Sequence, residues 1–99
     1  MLKQGFVYIL TNKFHKVLYI GVTSNLETRI QEHKMKEHPN SFSARYNTDQ
    51  LVYFEEFYAI DQAIVREKQL KAGSRQKKLD LINDTNPFWK DLTADWDVK

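Results

Sequence analysis

The sequence predicts a small α+β domain: a three-stranded antiparallel or mixed sheet flanked by helices, in the order β-β-α-β-α-α. Three observations predict it. Phe6 to Leu10, Val17 to Ile20 and Leu51 to Tyr58 are runs of β-branched and aromatic residues, the composition of buried strands. Around Leu26 and Ile30, and again around Ala63, Ile64 and Leu70, the apolar residues recur at the three-to-four spacing of helices. Gly21, Pro39, Gly73 and Pro87 punctuate these segments where turns and helix ends belong. Ninety-nine residues are enough for one domain and too few for a second core. The single domain is expected to span 1–99, with sheet and helices over about 5–84 and an apolar tail over 85–99.

In chain order, Thr11 to Lys16 is a polar loop of hairpin length between the first two strands. With its turn centred near Lys13 and Phe14, Tyr8 and Tyr19 face each other across the pair. Gly21 ends the second strand. Ser24 and Glu27 have capping-box spacing and open a helix from about Asn25 to Lys36, with Arg29 and His33 neighbours on one face. His38 to Ser41 breaks that helix, and the stretch to Asp49 reads as a loop. The third strand follows. Asp61 is expected to cap the next helix, Gly73 to close it, and Ser74 to start a last helix reaching about Asp84. Phe88, Trp89, Leu92 and Trp96 in the tail read as an apolar latch folded back on the domain.

The absence of cysteine excludes a disulfide framework, a zinc–thiolate site and a cysteine nucleophile, and the three histidines lack zinc-ligand spacing. The longest apolar run, Phe6 to Leu10, is too short for a membrane span or a signal-peptide core, so a cytoplasmic protein without membrane contact is expected. The net charge of +2 hides an uneven distribution. Arg66 to Lys78 holds six Lys or Arg residues and one acid, whereas Asp80 to Lys99 holds five aspartates against two lysines. A phosphate-seeking surface opposite an acidic edge is the expectation.

That one acid is Glu67, and it falls on the apolar stripe of its helix, three residues from Ile64 and three from Leu70. A partly desolvated carboxylate needs a cation, a donor or a proton. In a basic neighbourhood it suits a divalent metal acting on a phosphate polyanion. The plainer reading pairs it with Arg66 or Lys71.

Taken together, Phe6-Val7-Tyr8, then Tyr19-Ile20-Gly21, then Thr23, Arg29, His33 and Glu67 resemble the GIY-YIG nuclease family. Glu67 to Lys71 and Asn86 to Leu92 resemble its small stand-alone bacterial branch, related to the nuclease domain of the excinuclease C subunit. The chain departs from the pattern at three positions: Phe6 replaces the first glycine, Val22 follows Tyr19-Ile20-Gly21 where several members carry Lys or Arg, and Leu79 stands where some carry Asn.

The resemblance implies Mg²⁺, with Mn²⁺ as an alternative, on Glu67, and a phosphodiester hydrolase acting on double-stranded or branched DNA, in repair or recombination. Arg29 would fork onto phosphate oxygens. Tyr8 or Tyr19 would act as general base if its acidity is raised by Arg29 or the metal, and His33 would take or relay a proton. Thr23 is a further match. The residues themselves suggest that Lys68, Lys71, Arg75, Lys77 and Lys78 contact backbone phosphates, and that Arg45 and Tyr46 add a cation and a stacking face. Two other readings stand beside this one. Val22 and Leu79 favour a nucleic-acid-binding module with little or no activity. An exposed aromatic tail would favour a protein-interaction domain.

Overall fold

The computed structural model describes residues 3–38, 40–94 and 96. Its elements are β1 (Gly5–Thr11), β2 (Leu18–Thr23), α1 (Leu26–Lys34), α2 (Phe42–Arg45), β3 (Gln50–Phe57), α3 (Ile60–Ala72) and α4 (Arg75–Thr85). The sheet runs β2-β1-β3 and is antiparallel throughout.

Central β1 explains the continuous apolar run: Val7, Tyr8, Ile9 and Leu10 are all fully buried because helices cover both faces. On one face Val7 and Ile9 join Ile20, Val52, Tyr53, Ala63, Leu70 and Ile82 beneath α3 and α4. On the other, Tyr8, Leu10 and Leu51 pack against Leu26 and Ile30 of α1. The register of β1 and β3 shifts between Ile9 and Leu10, where Ile9 pairs with Tyr53 and Leu10 with Leu51. Val52 is the extra residue of this bulge, so it and Tyr53 both reach the α3–α4 side.

The hairpin register differs from the expected one by two residues. Tyr8 pairs with Gly21, and Tyr19 with Leu10. The turn lies later because the Asn12 side chain accepts from the backbone of Lys16 (2.8 Å) and Val17 (3.2 Å), with His15 left-handed at φ 58°. A shift by an even number keeps both tyrosines on one face.

Three local expectations are corrected. Asn25, not Ser24, caps α1, its side chain accepting from Thr28 N at 3.1 Å. Asp61 lies inside α3, which begins at Ile60 after Ala59; Gln62 Oε1 accepts from Ala59 N at 3.3 Å in place of a capping side chain. The stretch read as a loop holds α2, capped by Ser41 Oγ accepting from Ala44 N at 3.2 Å. Four helical residues are too few to show any periodicity, so this helix left no pattern to read.

The tail is a latch in most of its length. Trp89 packs on the α3–α4 side, Leu92 and Trp96 on the α1 side, while Phe88 is 81% exposed and belongs to neither cluster. Asp91 fastens it: its carboxylate accepts from Lys34 Nζ (2.8 Å), Leu51 N (3.3 Å), and Thr93 Oγ1 (2.7 Å) and N (3.0 Å). Burial pushes this carboxyl up, but the hydrogen bonds and charge of Lys34 and Thr93 outweigh it and hold it below the ordinary 3.8. Asp91→Ala should therefore lower the melting temperature at pH 7 by roughly 4–15 °C, from a loss of about 1–2 kcal/mol. The contribution of a depressed carboxylate is present above its unfolded value. In a thermal-melt series the gap between wild type and variant should close only as pH falls below 3.8.

Candidate active site

Tyr8 projects from β1 over Gly21 of the neighbouring strand. A Cβ on Gly21 would lie 2.3 Å from both Cζ and the hydroxyl of Tyr8, so the missing side chain is what lets the phenol pass. Its hydroxyl then reaches His33 Nε2 at 2.9 Å. Tyr19, half-buried on edge strand β2, brings its ring centroid to 6.3 Å from Tyr8 and 5.2 Å from His33. Arg29 stands one turn before His33 on α1, exposed, with Nε 3.1 Å from Glu32 Oε1. Four of the five residues singled out as catalytic thus gather where α1 crosses the sheet.

His33 is fixed from behind. Its Nδ1 lies 2.8 Å from Ser43 Oγ, which donates to the Thr48 carbonyl at 3.1 Å and accepts from Thr48 Oγ1 at 2.9 Å. With the single Ser43 proton on that carbonyl, Ser43 accepts from His33 Nδ1, and Nε2 is left bare to accept from the Tyr8 hydroxyl. Burial, with the Arg29 charge beside it, pushes His33 down to about 4, in keeping with a neutral acceptor. Ser43 and Thr48, both buried, went unnoticed in the sequence because their role depends on α2.

From the sequence, Tyr8 or Tyr19 would be the base only if Arg29 or a metal raised its acidity, and at Tyr8 the arginine alone does not. Burial raises the Tyr8 pKa, and Tyr19 adds to this; Arg29 pulls the other way without prevailing. The phenol is therefore protonated at neutral pH, and the base in contact with it is His33.

Glu67 lies on α3. That helix is clamped to β3 by Arg66, whose guanidinium donates to both oxygens of Glu55 at 3.1–3.2 Å. The Glu67 side chain is only 15% exposed, as its place on the stripe predicts, and its ion partner is Lys71 at 3.3 Å. Its charge acts on the Tyr8 hydroxyl, so the two belong to one electrostatic neighbourhood. Among the described residues no three His, Asp or Glu side chains cluster as a metal cage. A lone hard carboxylate fits Mg²⁺, an ion that keeps several waters and takes its remaining ligands from substrate phosphate.

The basic residues divide. Lys68, Lys77 and Arg45 are exposed; Lys71 is engaged with Glu67; Arg75 donates to the Lys16 carbonyl at 2.9 Å and Lys78 to that of Gly73 at 3.1 Å. Thr23 is buried, its hydroxyl accepting from Asn25 N at 3.1 Å in the turn before α1. Val22 packs against the α3–α4 core. The asparagines nearest the Leu79 position are occupied: Asn83 accepts from the Trp89 indole at 2.7 Å, and buried Asn86 donates to the carbonyls of Val52 and Lys90.

Comparison with known proteins agrees with the fold and with the family resemblance. Residues 4–80 match the model of the GIY-YIG catalytic domain. A UPF0213 protein of Syntrophus aciditrophicus is 35% identical over 87% of this chain and 97% of its own. One of Clostridium perfringens is 42% identical over 81% and 84%. The solution structure of a UPF0213 protein from Bacillus halodurans superposes with a TM-score of 0.56 at 25% identity, covering 93% of this chain and 97% of that one.

Proposed function

The chain belongs to the GIY-YIG catalytic-domain family, a family of nucleases, and from that premise we propose that it is a Mg²⁺-dependent endonuclease hydrolysing phosphodiester bonds in DNA. The observation that carries this reading is the half-buried Tyr8–His33 hydrogen bond, backed by Ser43 on the far side of the imidazole, beside Arg29 and within the field of Glu67.

Hydrolysis adds water across a P–O bond: a water oxygen bonds to phosphorus, the water loses a proton, and the departing sugar oxygen gains one. In this site the water's proton passes to the Tyr8 oxygen as the phenol's own proton passes to His33 Nε2, so no free phenolate is formed; His33 returns that proton to solvent, and the departing sugar oxygen takes its own from solvent. Arg29 neutralises charge building on the non-bridging oxygens. Mg²⁺ on Glu67 would supply Lewis-acid polarisation of the phosphate and stabilise the leaving oxygen. Exposed Lys68 and Lys77 hold flanking phosphates without reading sequence.

One structural feature favours the alternative, a binding module with little activity: Val22 is packed into the core, so no cation follows Gly21. Incubating the pure chain with plasmid and branched DNA separates the two. Products that require Mg²⁺ and vanish with chelator are expected; salt-sensitive binding without products would leave the module. The pH dependence is a second readout. His33 must be neutral to accept, so kcat/KM should hold well below 6.5 and fall on an acid limb near 4. Neutral pH lies above both values, where the base is fully available. An acid limb that persists unchanged in His33→Ala would remove His33 from the relay.

Among the described residues no helix is long and apolar enough to cross a membrane.

A further inference from the structure

Three aromatic rings lead outward from His33. Tyr19, 5.2 Å from His33, is stacked by Phe42 at 6.0 Å and 26°. Phe42 is in turn met by Tyr46 at 4.6 Å and 37°. Phe42 is 47% exposed and Tyr46 48%, in a chain with mean hydropathy −0.63. Neither ring belongs to a core cluster: Phe42 opens α2 and Tyr46 follows its last residue, and the helix is anchored instead by buried Ser43 and Thr48. Exposed cations flank the rings, Arg45 on α2 itself and Lys36 after α1. At the foot of the ladder a cavity of about 100 Å³ is lined by Tyr19, Arg29, His33 and Lys36.

We propose that Phe42 and Tyr46 form a stacking platform for one or two unpaired nucleobases next to the scissile phosphate, so that the preferred substrate carries a single-stranded segment at the point of cleavage. This rests on the nuclease reading above and specifies its substrate class. The geometry favours a base over a peptide. Beside the two exposed rings stand exposed Arg45 and the exposed pair Lys36 and Asn47, joined at 2.6 Å. The charge of this surface complements a polyanion, and it is continuous with the candidate active site. A flat ring accepts any base face regardless of sequence, but only a base outside the duplex stack offers one.

Oligonucleotides carrying 2-aminopurine at an unpaired position beside a duplex test this, bound to the full chain in chelator so that no cleavage intervenes. The expected result is quenching of the unpaired base, and affinity about tenfold weaker for Tyr46→Leu and for Phe42→Leu, with little change on blunt duplex. Tyr46 is the outermost ring, so its variant remains informative even if Phe42→Leu disturbs α2. Unchanged quenching and affinity in both variants, or an equal loss on blunt duplex, would overturn the platform. So would self-association in sedimentation that depends on these rings without base quenching. Quenching that needs the rings in a protein that cleaves nothing would retain the platform and remove the nuclease reading. Mg²⁺-dependent cleavage indifferent to both rings and to unpaired segments would do the reverse.

Discussion

Glu67→Ala is expected to reduce Mg²⁺-dependent cleavage by about 10³-fold, roughly 4 kcal/mol of transition-state stabilisation, with almost no loss of fold stability. The two halves of that expectation have different origins. The side chain is 15% exposed yet makes its one ion pair with Lys71, itself 56% exposed, four residues along the same helix. Such helical pairs contribute only about 0.3–0.5 kcal/mol, and less for so exposed a cation. Removing the carboxylate also removes the cost of holding it mostly out of water. A residue kept for stability would show the opposite balance. Gel-based cleavage of plasmid DNA, with thermal melts of the same preparations, decides it. Metal-dependent cleavage that survives in Glu67→Ala would remove this residue from the site; a melting point lowered by several degrees would make it a structural acid.

How much of this was legible in the sequence depends on the range of the interaction. Three strands and three of the four helices could be read from composition and apolar periodicity, with Gly73 and Ser74 marking helix ends as read and Ser24 and Asp61 not, because those signals are local. Glu67 was conspicuous because its polarity contradicts the stripe on which it stands. What escaped were features set by partners distant in sequence. The two-residue hairpin shift comes from one side chain, Asn12, gripping the loop. Tyr8 or Tyr19 would be the base only if Arg29 or a metal raised its acidity; at Tyr8 burial in the middle strand outweighs Arg29, a balance set by packing from distant segments. The setting of His33 needs Ser43 and Thr48, ten and fifteen residues away, the first on an element too short to announce itself and the second just beyond it. Phe88 was grouped with the latch on composition, although it is Trp89, Leu92 and Trp96 that reach the core clusters.

Gly21→Ala should damage both stability and catalysis, and through Tyr8 in each case. No glycine among the described residues has a positive φ, so backbone freedom is not the reason for glycine at this position. The reason is steric: an added Cβ would meet Cζ and the hydroxyl of Tyr8 at 2.3 Å and Cε1 at 2.9 Å. Tyr8 is fully buried, so the ring cannot swing into solvent and must push its surroundings instead. Overpacking of this kind costs about 1–3 kcal/mol, which in a domain this size is a fall of roughly 4–8 °C per kcal/mol in melting temperature. The displaced hydroxyl also leaves His33 Nε2, 2.9 Å away in the intact site, and cleavage should drop with it. If Gly21 merely releases the strand into the following turn, the cost of alanine would not depend on residue 8. A double-mutant cycle with Tyr8→Leu distinguishes these, since leucine lacks the far end of the ring. A coupling of about 0.5–3 kcal/mol, with alanine tolerated far better beside leucine, is the expected outcome. Additive losses in the two backgrounds would refute the steric account. Recovery of stability without recovery of cleavage in the double variant would separate the two tasks of Tyr8, filling the sheet interior and presenting a proton to His33.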